Sequence, residues 1–226
     1  MVQPLQPQYG RDLQSLDALK ARGGRAVRRV DRAITSDDFA VLAERHAGVW
    51  QAAAQARVDG FGGGAMRVDL ILVPAGGGAV DALVGPLTQS LKAKAVPGVS
   101  ITARRFIDVP LTVRLSVTLR EGYLPSLELE SELASLLQSK AGLEHRLLGD
   151  ELFVSSLVGV VERHPAVLRA ALTAKLKVGF DALANGVRSR IGHDGQLQAV
   201  IPQWDQCVHV APDDLSVTLL PYGGAP

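Results

Sequence analysis

Aromatic side chains are scarce, with two Trp, three Tyr and five Phe in 226 residues. A core must therefore be built mainly from Leu, Val and Ala. Cysteine is nearly absent: Cys207 stands alone, so no disulfide can form within the chain. An excess of one charge is also missing. Lys and Arg number 24 against 23 Asp and Glu, for a net charge of +1. That balance gives no global pull toward nucleic acid or acidic membranes. No apolar run approaches the roughly 20 residues that span a bilayer. Met1 to Gly10 is polar, rich in Gln and Pro, and lacks the charged-then-apolar order of a signal peptide. What is present is an ordinary apolar fraction, 47%. The length allows one large domain or two to three small ones.

The elements of a catalytic or metal site do not assemble along the chain. The five histidines are His46, His145, His164, His193 and His209, and no two sit at i, i+4 on a predicted helix. Cys207-x-His209 is too short and isolated for a structural zinc site, which needs four ligands. A lone Cys on a strand reads as a small core residue. Gly62–Gly64 and Gly76–Gly78 lack the Gly-Lys-Ser/Thr ending of a phosphate loop, so the second reads as a flexible strand-to-helix connection. Asp37-Asp38 fits a helix cap and Asp213-Asp214 fits a turn. Trp50 and Trp204 read as core or interface anchors. No nucleophile, base and orienting group come together, and no cofactor or small-molecule substrate is expected.

Residues 1–32 read as a basic connecting arm. Between positions 20 and 32, Lys20, Arg22, Arg25, Arg28, Arg29 and Arg32 face a single acid, Asp31, and Gly23-Gly24 breaks any long helix. The arm is a solvated linker or a surface that docks on a neighbour's acids, with Arg28, Arg29 and Arg32 as candidate contacts. A nucleic-acid-binding module using residues 20–32 is the alternative, though no interleaved aromatics support it.

The clearest start signal is Ile34-Thr35-Ser36-Asp37-Asp38-Phe39. Thr35 is placed to accept from the Asp38 N–H while Asp38 reaches back to the Thr35 N–H, and Ile34 with Phe39 is spaced as a hydrophobic staple. A helix follows to about Ala47, with Gly48 ending it. Strands are predicted over 49–58, 66–73 and 99–107. Between the last two lies a helix carrying Leu83, Leu87 and Leu91, whose true start is expected at Pro86. The best strand runs from Leu111 to Arg120. Leu111, Val113, Leu115, Val117 and Leu119 point one way, and Thr112, Arg114, Ser116, Thr118 and Arg120 the other. Arg114 is thus a candidate interface residue on the wet face. A Leu-striped helix over 129–137 follows, then a shorter helix with Ser155 as its cap and Leu157, Val160 and Val161 facing the core, then a strand over 167–172.

This order predicts an α+β chain of two small α+β sandwich units in series, strand-helix-strand repeats with a ferredoxin-like character, plus a C-terminal β-hairpin. The units are expected at 33–108 and 109–175. Residues 176–226 read as an irregular segment and a hairpin of 207–210 with 215–220 across Pro212-Asp213-Asp214.

Four segments, in this order, resemble the baseplate J-like family of contractile-tailed phages and related injection systems. Arg32-Ala33-Ile34-Thr35-Ser36-Asp37-Asp38-Phe39 is similar to its RAVT-x-EDY helix start. Val73-Pro74-Ala75-Gly76-Gly77-Gly78 resembles its VPAGG loop. Ile107-Asp108-Val109-Pro110-Leu111-Thr112-Val113 resembles its YVPVDV step. Phe153-Val154-Ser155-Ser156-Leu157, with Val160-Val161 and Pro165-Ala166-Val167, is similar to its V-x-x-S-x-[IV]…I…PGV segment. The resemblance covers residues 25–173, and the family's long N-terminal portion has no counterpart in it. It implies a structural wedge component rather than an enzyme. The implied partners are other baseplate wedge proteins, sheath- or tube-proximal subunits, and further copies of itself. The implied location is the cytoplasm during assembly and then the tail or injection particle.

Overall fold

The protein is described by a computed structural model covering residues 31–58 and 66–223. The arm residues Lys20, Arg22, Arg25, Arg28 and Arg29, and the Gly62–Gly64 run, lie outside the described residues. The chain divides into two compact units between Arg105 and Phe106.

In the first unit the capping box forms. Thr35 Oγ1 accepts from the Asp38 N–H at 3.3 Å, and Asp38 Oδ2 accepts from the N–H groups of Thr35 at 2.8 Å and Ile34 at 3.1 Å. Three otherwise orphaned donors are satisfied, which starts α1 (Ser36–Glu44). The staple is a correction. Phe39 is fully buried but Ile34 stays 64% exposed, so little apolar area closes between them. The helix also ends earlier than predicted, at Glu44. Its carboxylate turns to accept the Ala52 N–H at 3.1 Å and so ties the helix to the next strand.

That strand, β1 (Val49–Val58), pairs antiparallel with β2 (Met66–Pro74). After α2 (Asp81–Lys94), β3 (Ser100–Arg105) returns parallel to β2, giving the sheet order β1-β2-β3. The first turn of α2 precedes Pro86, against the expectation. Val80, Leu87 and Leu91 share one buried face, and that packing outweighs the bond lost at the proline, whose ring sits on the exposed side. The core of this unit collects Phe39, Leu42, Val68, Leu70, Leu72 and Leu91. Gly48 gives room to Leu83, whose Cδ2 would lie 2.7 Å from a Cβ there and would have to move aside.

The second unit is organised on β4 (Ile107–Leu119), whose burial alternates along its length. Val109, Leu111, Val113, Leu115, Val117 and Leu119 are all at most 1% exposed. β6 (Val167–Leu176) pairs antiparallel on one side and β9 (Gln206–Leu220) parallel on the other. Against the buried face lie α3 (Leu127–Ala141) and α4 (Val154–Val161), through Leu133, Leu137, Leu157 and Val161. Pro110 interrupts a strand that is central further on. It stands just before Leu111, where β6 begins to pair, and its carbonyl accepts from Lys177 N–H at 3.0 Å. The proline thus stands one residue outside the β6 ladder, although β9 already pairs there with His209 opposite it.

Three more expectations are corrected. Residues 207–210 and 215–220 form no hairpin. Both belong to β9 and run in one direction along β4, with Leu111 opposite Val210 and Val113 opposite Leu215. Ala211-Pro212-Asp213-Asp214 is a bulge, anchored where Lys177 Nζ meets Asp214 Oδ2 at 2.6 Å. Nor does 176–226 stand apart, since it completes the second unit. Within it β7 (Arg188–Ile191) and β8 (Leu197–Ile201) form a small antiparallel sheet with β5 (Leu152–Phe153). Ser155 is not a cap: α4 begins at Val154 with Phe153 as its cap residue, and Ser155 is exposed in the first turn. The serine that does cap is Ser126, whose Oγ accepts from Leu129 N–H at 3.2 Å at the start of α3.

Val113→Asp should lower stability by about 4 kcal/mol or more, because it places an unpaired charge in a sealed site. Arg114→Asp, one residue on, should melt within a few degrees of the parent. Thr35→Ala should cost about 1 kcal/mol. Thermal and urea unfolding of the three variants measures this. If Val113→Asp melts like the parent while Arg114→Asp unfolds, the orientation of β4 is inverted.

Candidate assembly surface

The sheet β6-β4-β9 has a second face, and the register fixes what it carries. On β4 the outward positions are Thr112, Arg114, Ser116 and Thr118. Their antiparallel partners on β6 are Lys175, Thr173, Ala171 and Arg169. On β9 the parallel partners of Arg114, Ser116 and Thr118 are Ser216, Thr218 and Leu220. Arg114, Arg169 and Lys175 are exposed, and the hydroxyl side chains between them are exposed or half-buried. These positions hold three cations, six hydroxyl residues, no acid and no aromatic ring. Among the described residues the three cations make no ion pair. The nearest acids along the face are already engaged: Asp214 holds Lys177, and Asp108 lies further along β4, with Oδ1 3.4 Å from His209 Nδ1.

At the start of β9 the unit has a polar interior. Arg146 is buried, and its guanidinium donates to three carbonyls: Nη2 to Asp150 at 2.7 Å and Glu151 at 2.9 Å, and Nε to Val208 at 3.3 Å. Burial lowers its pKa, with Asp150 and Cys207 countering. Gln206 is fully buried. Its amide donates to the Asn185 carbonyl, its Oε1 accepts from Gln203 N–H at 2.8 Å, and its backbone carbonyl accepts from Gly149 N–H at 2.8 Å. One glutamine thus ties three loops together. Cys207 is 1% exposed, and burial pushes its thiol up to about 12, against a partial pull downward from Arg146. A thiol held protonated and sealed is a poor nucleophile and a poor metal ligand.

Of the residues expected to form contacts, Arg28 and Arg29 lie outside the described residues. Arg32 is exposed ahead of α1, Trp50 is half-buried on β1, and Trp204 is half-buried in the turn before β9. Among the described candidates, Arg114 alone falls within a patterned surface. Sequence reasoning missed Arg169 and Lys175, since only the pairing of β6 with β4 sets them beside it. In the first unit an open groove of about 450 Å³ runs between α2 and the edge strand β3, lined by Val84, Gly85, Thr88, Lys92, Ile101 and Ala103 among others.

A measurable consequence attaches to Cys207. Its folded pKa is raised, so the stability it confers is complete below the ordinary thiol value of 9.0 and is lost as pH rises toward about 12. Urea unfolding between about pH 8 and pH 11 should show an alkaline decline that Cys207→Ala makes shallower. The native thiol should resist maleimide at neutral pH and react once the protein is unfolded. Rapid labelling of the folded chain would contradict the burial.

The family model for the baseplate J-like central domain matches residues 31–104. No curated protein matches the sequence. Among solved structures, a chain of the anti-feeding prophage baseplate, determined by cryo-EM with six-fold symmetrisation, superposes with a TM-score of 0.57 at 16% identity. The alignment covers 86% of this chain and 41% of that one, so this chain spans about two-fifths of its length. At that identity the likeness concerns the fold. Residues 31–104, from just ahead of α1 into β3, thus match the baseplate J-like family that the ordered motifs resemble.

Proposed function

We propose that this chain is a structural component of the baseplate of a contractile phage tail or related injection system, acting through protein–protein interfaces rather than catalysis. The observation that carries the reading is the match of residues 31–104 to the baseplate J-like central domain. The superposition over 86% of the chain on a baseplate subunit supports it. The partners on this reading are neighbouring wedge subunits, sheath- or tube-proximal subunits and further copies of the chain. Assembly takes place in the cytoplasm, before the finished particle forms.

The open groove of the first unit suits contact more than chemistry. The groove beside α2 is lined by apolar and hydroxyl residues with Gln89 and Lys92, and it brings no carboxylate, imidazole or thiol to its walls. Acid–base or nucleophilic work needs such groups within hydrogen-bond reach of one another. The unpaired cations instead lie on an open sheet face that another protein surface can meet.

Quantitative mass spectrometry of particles purified from the producing cell tests the proposal. The chain should copurify with sheath and tube subunits in a fixed ratio, and deletion of its gene should leave particles without a complete baseplate. Normal particles that never contain the chain would overturn the assignment.

A further inference from the structure

We infer that the outward face of the β6-β4-β9 sheet is a docking surface for an acidic protein surface, with Arg114, Arg169 and Lys175 as the contacting cations. The inference rests on the baseplate reading and adds the place and the chemistry of one contact.

Charge is the first argument. An exposed sheet face that merely meets water tolerates both signs, and opposite charges across strands stabilise it. The paired positions from Thr112 to Thr118 and their partners carry cations and no acid, and the nearest acids, Asp108 and Asp214, are engaged by His209 and Lys177, although the chain as a whole is nearly neutral. Leaving three cations without acids forgoes those cross-strand pairs. The arrangement is explained if the acids are supplied from outside, where complementary charge speeds association and fixes orientation.

Geometry is the second. Lys175 and Arg169 lie six residues apart on β6, or about 20 Å at the usual strand rise. Arg114 sits between them on β4, opposite Thr173. From the same spacings it is about 8 Å from Lys175 and about 14 Å from Arg169. The result is a staggered cationic line that an acidic helix or strand can follow. The Thr and Ser hydroxyls between the cations both donate and accept, so they can satisfy polar groups that the partner buries. The face is narrow. Three strands span only about 10 Å between the outer strand axes. That is small beside the roughly 800 Å² per partner of a standard interface. The contact is therefore one of several that hold the chain in a particle.

A protein is favoured over nucleic acid for two reasons. No outward position is aromatic, so bases find no stacking platform. Three cations would displace only about three counterions, a weak hold on a phosphate backbone.

The test uses the full chain in its producing cell. The triple variant Arg114→Glu/Arg169→Glu/Lys175→Glu and its neutral counterpart with Gln at the same positions are expressed in place of the parent. Thermal melts of the purified proteins check folding, and the neutral triple keeps the test valid if the acidic one is unstable. Incorporation into particles should fall at least tenfold for the acidic triple and less for the neutral one. A zero-length carbodiimide, which joins amines to carboxylates, should link Lys175 in intact particles to an Asp or Glu of a different subunit. That link should vanish in Lys175→Gln. If the chain enters particles, but both folded triples enter equally well and Lys175 forms no link, this inference fails while the baseplate reading stands. If Lys175 links to another copy of this chain, the partner assignment is wrong. Binding of duplex or single-stranded DNA by the purified chain, abolished in both triples, would overturn the choice of a protein partner. Absence of the parent chain from particles would remove the baseplate reading itself.

Discussion

Everything in the second unit depends on the strict alternation of β4. Six of its side chains, from Val109 to Leu119, are sealed against α3 and α4, and those between them are turned outward. Because the side-chain period of a strand is two, a slip of one residue would drive Arg114 into the core and expose the leucines. Burial of these residues, each worth about 1.5–3 kcal/mol, makes such a slip prohibitive. The same rigidity places the cations. Arg114 sits where it does because Val113 and Leu115 cannot be anywhere else, and β6 inherits its register from the same ladder.

The alternation of β4 and the cap of α1 were legible in the sequence because both are written locally. A period-two run and a Thr-x-x-Asp spacing each span only a few residues, and the physics that enforces them acts over the same distance. The path of β9 was not legible. Pro212-Asp213-Asp214 has the composition of a turn, and in most contexts it would reverse the chain. Here Asp214 is engaged by Lys177 and the strand resumes its direction, so the same residues make a bulge. What keeps the strand straight is its ladder with β4 on both sides of the bulge, and the contact with Lys177 comes from 37 positions away, neither of which a local pattern reports. Ser155 and Ser126 teach a related lesson: each precedes apolar helical residues, but only Ser126 meets the extended backbone of a cap residue.

The stretch between β6 and β9 looked broken by glycines, and several of them do take the positive φ that turns require, as at Gly186 and Gly195. What the sequence did not convey is that one buried side chain organises the result. Gln206 reaches Asn185, Gln203 and Gly149 from a single position at the start of β9. A buried amide is costly unless every donor and acceptor is met, and here irregular backbone supplies the partners that regular structure would have used. The candidate docking face was half legible for the same reason of distance. Arg114 could be named from β4 alone, while Arg169 and Lys175 became its neighbours only through pairing with β6.

The parallel pairing of β4 with β9 also sets the order of events during synthesis. Roughly ninety residues separate the end of β4 from the start of β9, several seconds of translation at about 5–20 residues per second. Through that interval one edge of a long, Val- and Leu-rich strand has no pairing partner from its own chain. Such an edge is a template for pairing with other chains. Pro110, Arg114 and Arg120 lie within or beside this strand, and proline and charge are the residues that discourage edge-to-edge association. Pro110 and Arg114 thus stand on β4 where a proline and a charge discourage pairing with other chains until β9 has been made.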